Sequence, residues 1–443
     1  MKQKSLQESR NKKMKSILNK NIQTVLELGS SHTGMVVANL ENFQNQNNSR
    51  NPPSDSNKIQ ILGAARLSNN GSFKKGIVSN LESLTASILD VIDEVERQTG
   101  LEISEAKCVL PCSDAKFESS TNQVDILQNV VTQNDIFKLN QLQQNNDIKN
   151  GLRLIQCISS DYHLDNKAGI FNPIGLSAKK LGHNYFAIYY SENELKNIFR
   201  SCEQSGLKIS SYISEPIAAA EGSLTIDEKE FGCLSISMGA FVTHVSLYCH
   251  RIPIFCKEYL IGSQHITKDL AIGLRTTQAE AERIKKEVAI AYDPFLQNNK
   301  DTIKVHLLDQ NEARIVSLVE AVKIIQPRVK EILEMIFLDL KKQKLLGSLS
   351  KGIVLTGGGV QLGGIITLCE KIFSSHARIG FPMNIVGSIE GLKSPMWCAN
   401  IGAFYSGNQL FNSDFYETQF QQKSKLKNIG AKIWHRMKEP FLS

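Results

Sequence analysis

Three glycine-bearing turns and one basic amphipathic stretch are the parts of this sequence whose residue types could do chemistry. In KGIVLTGGGVQLGGI, residues 351–365, the apolar run Ile353-Val354-Leu355 has the character of a buried parallel strand, and Gly357, Gly358 and Gly359 follow at once. Val360 to Cys369 then carries enough apolar residues to start a helix. Strand, glycine turn and helix bring bare backbone against a nucleotide, because a Cβ at those positions would hold the ligand away. Taken alone, the turn serves a purely structural connection equally well. In NIQTVLELGSSHTGMVVANL, residues 21–40, the pattern reads as a strand over Thr24–Leu28, a turn at Gly29-Ser30-Ser31 and a strand over Met35–Leu40. Two hydroxyls and a glycine at a hairpin tip make a nest of donors suited to a phosphate, or else an ordinary polar hairpin. GCLSISMGAFVTHVSLY, residues 232–248, repeats that layout with its turn at Gly239-Ala240. Two similar hairpins, one early in each half, point to duplicated α/β halves facing one another across a cleft.

The basic stretch is LKNIGAKIWHRMKEPFL, residues 426–442. On a helix, Leu426, Ile429, Ile433 and Met437 form one stripe, with Trp434 alongside and Phe441 continuing it; Lys427, Lys432, Arg436 and Lys438 take the flanks. That is the pattern of a helix lying in a bilayer surface. Each large apolar side chain contributes roughly 1.5–3 kcal/mol when fully buried, and each nearby Lys or Arg about 1 kcal/mol on anionic lipid. Half of that sum, less the cost of ordering the tail, leaves reversible membrane binding. The alternative, a helix docked on the protein's own core, fits poorly with so charged a segment at the end of a polar linker, residues 409–422. Such a linker spans on the order of 20 Å when flexible, so it need not fix the body's orientation.

Charge is distributed to match. Residues 1–20 hold seven Lys/Arg against one Glu and residues 423–443 six against one, so with +7 overall the remainder carries −4. The basic balance belongs to the ends, which argues against a nucleic-acid-binding body and for anion-seeking termini. Nine cysteines are scattered singly, with no CxxC pair and no metal-ligand spacing, as expected of reduced thiols. Residues 1–20 lack the apolar centre of a secretory signal and read as a disordered basic segment; no apolar run is long enough to span a membrane. A cytosolic protein whose ends touch a surface is the expectation, and 443 residues allow two or more domains.

The remaining elements must position these turns. Residues 41–57 are a low-complexity polar loop. Leu81 to Thr99 reads as a helix, its apolar Leu84, Ile88, Val91, Ile92 and Val95 recurring at helical spacing. Strand-like runs follow near 107–110, 123–126, 153–159 and 185–190, then a helix over Leu195–Gly206. SEPIAAA, residues 214–220, opens a helix with Pro216 near its start and small residues that permit a close crossing. Long helices are expected over Arg275–Tyr292 and over Gln326–Gln343, the latter with Pro327 in its first turn, and a final buried helix over Trp397–Tyr405. Strands alternating with helices argue α/β throughout.

With these elements in place, residues 22–443 resemble the actin/chaperone/sugar-kinase ATPase superfamily and, within it, the FtsA family of actin-like bacterial cell-division proteins. The resemblance rests on ELGSSH (27–32), KKGIVSNLES (74–83), FNPIGLSAKKL (171–181), SEPIAAAEGSLT (214–225), IGSQHITKDLAIGLRTTQAEAERIK (261–285), IIQPRVKEI (324–332) and GIVLTGGG (352–359), in their order and spacing. It implies a nucleotide cleft holding ATP with Mg2+. Gly29, Ser30 and Ser31 would form the first phosphate loop, with Glu27 at a magnesium-associated position. Gly239 and Ala240 would form the second loop, while Gly357, Gly358 and Gly359 would hold the adenosine. Glu282, Lys285 and Lys286 would meet ribose and base, and Glu215 would polarise a water. The sequence departs from the superfamily where two carboxylates are usual, at Ser237 and His244, and Ala240 and Phe241 replace glycines. Weakened metal positioning and water activation imply slow or absent hydrolysis.

The fold expected is therefore α/β, with actin-like, ribonuclease-H-like duplicated halves flanking a nucleotide cleft, an inserted small α/β domain and a C-terminal amphipathic helix. Expected divisions are a basic N-terminus (1–20), a first half (21–81), a self-associating insertion (82–178), a return to the first half (179–213), a second half (214–385), a closing helix (386–408), a linker (409–422) and a membrane helix (423–443). The resemblance implies a protein that polymerises with itself, joins other division proteins and anchors FtsZ, through its C-terminal peptide, to anionic lipids. Its place would be the cytoplasmic face of the bacterial inner membrane at midcell. Arg314, Lys323 and Arg328 are the basic candidates for that acidic peptide. The rival is a true ATP-hydrolysing enzyme, chaperone-like or a sugar-kinase-like phosphotransferase, which would keep acidic residues in both hairpins and leaves the tail unexplained. Rod-shape-determining actin relatives share the fold but lack the insertion.

Overall fold

Two β-sheets with the same internal order frame the molecule. The computed structural model describes residues 21–40, 58–111, 115–144, 148–149, 151–165, 167–170, 172–288, 290–296, 299–307, 313–387 and 391–406. The basic N-terminus, the polar loop 41–57, the linker and the membrane-helix residues Leu426, Ile429, Lys432, Ile433, Trp434, Arg436, Met437 and Phe441 lie outside the described residues. In the first sheet, Ile22–Leu28, His32–Asn39 and Ile59–Ser68 form an antiparallel meander, and Glu105–Leu110 and Lys208–Ser214 add parallel strands beside Ile22–Leu28. In the second, Cys233–Met238, Thr243–Cys249 and Ile252–Tyr259 form the meander, while Ile353–Thr356 and Ala377–Ile379 add the parallel strands. Buried faces on both sides explain near-continuous apolar runs such as Ile353-Val354-Leu355, each at most 1 % exposed. The duplication inferred from the two hairpins is thus present in five strands of each sheet, and the first carries a sixth, Ile385–Val386, parallel to Ile59–Ser68.

Helices cover these sheets for reasons written in their sequences. Leu81–Thr99 starts at Asn80, whose side chain accepts from Ser83 N–H, and stops at Gly100, left-handed at φ 66°. Its five expected apolar residues are all buried, in one cluster with Leu26, Leu28 and Met35 of the first hairpin. The Leu318–Lys342 helix begins eight residues before the expected start, because Ser317 caps it by accepting from Glu320 N–H. Pro327 consequently lies inside the helix. Buried Leu318, Ala321, Val322 and Ile325 ahead of it offset the backbone hydrogen bond that proline forgoes. The helix expected over 275–292 is shorter, Gln278–Val288, with Arg275 left-handed at φ 53° before it. After the glycine turn the chain makes a 3-10 turn at Gly358–Val360, and the helix proper waits until Ile365–Phe373.

A third sheet pairs with neither of these, though Ile155, Phe186, Ile188 and Tyr190 from it pack into the first sheet's core. Strands Lys116–Asp125, Leu152–Leu164, Lys167–Ile170 and Lys180–Ser191 pair antiparallel, with the Gln133–Gln144 helix against them. This third sheet spans 116–191, whereas the insertion was expected over 82–178. The 81–99 helix and the 105–110 strand belong to the first sheet, and the 180–191 strand assigned to the returning chain belongs to the insertion. Helical periodicity showed that the 81–99 face is buried but carried no information about which sheet buries it.

Candidate functional site

The turns at the ends of both meanders and of the Ile353–Thr356 strand open onto one cleft, partly open to solvent. It is lined by Glu27, Gly29, Ser30, Ser31, Glu215, Gly239, Ala240, Gly357 and Gly358, all singled out in the sequence. The two hairpin loops are built alike. Gly29 N–H donates to His32 O at 3.0 Å and Gly239 N–H to Val242 O at 2.8 Å, and a Cβ on either glycine would come within 3 Å of that carbonyl. The loops are held from behind. Asn69 Nδ2 donates to Gly29 O at 2.7 Å, and Lys75 N–H to Ser30 Oγ at 3.1 Å. Ser263 and Gln264 N–H, opening the Ser263–Gly273 helix, donate to Gly239 O and Ala240 O. Gly357 has φ +85° and no room for a Cβ beside Met238 O, while beyond Gly358 a Cβ would meet nothing within 4 Å. The third turn therefore presents bare backbone to the cleft. Gly359 instead packs on Met238.

Three other expected contacts stand outside that lining. Lys285 is buried; its Nζ donates to Glu282 Oε2 at 2.7 Å and to Thr267 Oγ1 at 3.0 Å. That network ties the Gln278–Val288 helix to the Ser263–Gly273 helix. Burial pushes the Lys285 ammonium down, against the pull of Glu282. Lys286 is exposed, 3.7 Å from Glu282, and both act electrostatically on His32 at the tip of the first loop. Arg314, Lys323 and Arg328 lie on the second half. Arg314 pairs with Glu320, and Arg328 with Asp269 and Glu331; Lys323 is exposed.

The cleft floor is an ion network. Glu215 opens the Glu215–Ser223 helix; its Oε1 accepts from Ser237 Oγ at 2.7 Å and its Oε2 contacts His244 Nδ1. His244 pairs across the sheet with Glu258, and its Nε2 lies 3.9 Å from Glu258 Oε1. Burial alone would lower the His244 pKa. Glu215, by charge and hydrogen bond, then Glu258 and Glu27 more than offset it, so the ring is held above its ordinary value. Glu27 is buried and raised by that burial, with Arg66 opposing. Arg66 grips Glu27 at 3.2 and 3.5 Å, donates to Met396 O at 2.8 Å and lies over the Trp397 ring. Ser237 and His244 were legible only as departures; Arg66, on an unremarkable strand, and the lining residues Pro395, Met396 and Ala399 carried no signal.

These residues do not fit a divalent cation ligated by the protein. The Glu27 carboxylate is held by Arg66, and both Glu215 oxygens face Ser237 and His244. Among the described residues no group of three or more His, Cys, Asp or Glu is arranged to hold a metal. Glu27 lines the cleft as expected, with the Arg66 guanidinium on its carboxylate.

Comparison with known proteins follows the same lines. A family model described as cell division protein FtsA matches residues 234–402, and one described as the SHS2 domain inserted in FtsA matches 113–189, close to the separate sheet. Cell division protein FtsA of Pseudomonas aeruginosa is 28% identical over 352 residues, 80% of this chain and 84% of that protein. The Borreliella burgdorferi protein of that name is 26% identical over 423 residues, 95% and 97% of the two chains. Among solved structures, the PilM-PilN type IV pilus biogenesis complex aligns with TM-score 0.55 at 13% identity, covering 86% of this chain and 96% of that one. MreB5 of Spiroplasma citri bound to ADP aligns with TM-score 0.51 at 13% identity, covering 87% and 95%. At such identities these two establish the fold alone.

Proposed function

This chain belongs to the FtsA family of cell-division proteins, with an actin-like fold and the family's inserted domain, and from that premise we propose that it binds ATP in the cleft, polymerises, and tethers the FtsZ ring to the cytoplasmic face of the inner membrane at midcell. The observation that carries the nucleotide reading is the convergence of Gly29-Ser30-Ser31, Gly239-Ala240 and Gly357-Gly358 on one cleft. Backbone donors from paired hairpins suit a polyphosphate, and an open glycine turn suits a flat base. Turnover is slow or absent, because Ser237 and His244 already engage both oxygens of Glu215. Phosphate release by the purified protein should fall far below the roughly 10 per second of a median enzyme; turnover at that level would favour a hydrolytic relative.

Self-association is assigned to the insertion, where Leu127 and Phe137 are 87 % and 59 % exposed. Other division proteins join the same assembly. The FtsZ peptide, acidic and apolar, is assigned to the basic face near Arg314, Lys323 and Arg328. Exposed Ile315 beside Arg314 supplies an apolar contact there. The tail supplies the lipid contact; among the described residues no helix is long and apolar enough to cross a membrane. Charge reversal at Arg314 and Lys323 should weaken binding of the FtsZ C-terminal peptide at least tenfold, and unchanged affinity would move that site elsewhere.

A further inference from the structure

A nucleotide triphosphate entering this cleft meets two lining carboxylates, Glu27 and Glu215, with Glu258 behind them. Phosphates approach carboxylates at a Coulombic cost that grows as water is excluded, so such clefts ordinarily need a cation. Here the protein supplies cations of its own. Arg66 bridges Glu27 in fork geometry, and His244, 6 % exposed, lies between Glu215 and Glu258. Both cations line the same cleft as the phosphate loops. With His244 protonated the four lining charges cancel, and the remaining carboxylate, Glu258, sits behind the lining on the far side of His244.

We propose that this cleft binds its nucleotide without needing a divalent cation, His244 and Arg66 supplying from inside the protein the positive charge that would otherwise enter with the ligand. The inference rests on the nucleotide reading above and deepens it. The groups facing His244 are Glu215 from the helix start, Glu258 from the adjacent strand, Glu27 from the first sheet with Arg66 beyond it, and Ser237 through Glu215. Ser237 matters because a carboxylate at that position would add a third negative charge to the lining, beside Glu215.

Calorimetric titration of the full-length chain with ATP, in excess EDTA and in excess Mg2+, tests the proposal. Dissociation constants within about threefold of each other are expected. A tenfold or greater loss on chelation, with binding intact in Mg2+, overturns the metal independence but keeps the nucleotide reading; no binding in either condition overturns both. His244→Asp, which turns the buried cation into a carboxylate, should bind at least tenfold more weakly in EDTA than in Mg2+. His244→Asn, closer in shape and neutral, keeps the test open if the aspartate variant fails to fold, and should lose at least threefold in EDTA relative to Mg2+. Indifference of the folded variants to chelation would remove His244 from the role.

Discussion

At the scale of single residues, His244 links stability to the cleft's chemistry. A buried imidazole is expected to lose its proton; here Glu215, Glu258 and Glu27 outweigh that burial, so the folded pKa is raised. Folding therefore binds a proton that the unfolded chain holds only below about its ordinary value of 6.5. The stabilisation is complete below that value and is lost as pH rises through the higher folded pKa. His244→Gln should thus cost about 1–3 kcal/mol at pH 6, the range for a buried hydrogen-bonding group that loses a charged partner. The gap between wild type and variant should narrow by pH 9, as read from urea unfolding midpoints at the two pH values. A constant gap would mean that His244 is neutral throughout.

At the scale of elements, the closing helix Cys398–Tyr405 couples the cleft to the point where the tail departs. It crosses Glu215–Ser223 so closely that a Cβ on Gly402 would fall 1.8 Å from Ala218 O, and one on Gly222 2.0 Å from Cys398 O. Its leading turn, Pro395–Trp397, accepts from Gly357 N–H and Thr356 Oγ1 through Pro395 O. Gly402→Val should destabilise by about 3 kcal/mol, at the high end for overpacking because backbone cannot yield as a side chain can; a thermal melt unchanged within 2 °C would refute it. The helix's other end is held by Lys107, buried on a sheet strand, whose Nζ donates to Ser406 O at 3.3 Å and Ala403 O at 3.5 Å. Burial pushes the Lys107 ammonium from 10.5 to about 8. Between those values the unfolded chain holds more protons, so this residue's contribution to stability rises with pH. Buried thiols such as Cys202 and Cys369, pushed up to about 12 from 9.0, act oppositely above pH 9. The measurement is therefore a difference. Wild type should gain on Lys107→Met by on the order of 2 kcal/mol between pH 7.5 and pH 10, and parallel stability curves would contradict it.

At the scale of the whole molecule, the proposed function divides three tasks: nucleotide binding in the two-sheet body, self-association in the inserted sheet and membrane contact in the basic tail. Co-sedimentation with vesicles containing anionic lipid should pellet the full chain and leave a variant lacking residues 424–443 in the supernatant, with ATP affinity unchanged. Binding should weaken steeply between 0.1 and 1 M salt, because screening shortens the reach of Lys427, Lys432, Arg436 and Lys438 from about 10 Å to about 3 Å. Equal pelleting of both chains would place the lipid contact elsewhere.

Much of this protein was legible in its sequence because the signals are local. A strand running into a glycine turn, two hairpins of one layout and an amphipathic helix closed by Asn80 and Gly100 are each set by neighbouring residues, and the structure has them where expected. Duplication followed from comparing the two hairpins. The 81–99 helix and 105–110 strand show where local information ends: burial has a period, but its partner surface does not. Pro327 shows the same limit, since only the buried face ahead of it explains a helix continuing through a proline. Tertiary structure alone brought Arg66 onto Glu27 and set His244 between two glutamates from separate elements. In the sequence Arg66 is a solitary arginine and His244 a missing carboxylate. Charge balance in a cleft is a sum over distances, and distances between segments far apart in the chain come into being only when it folds.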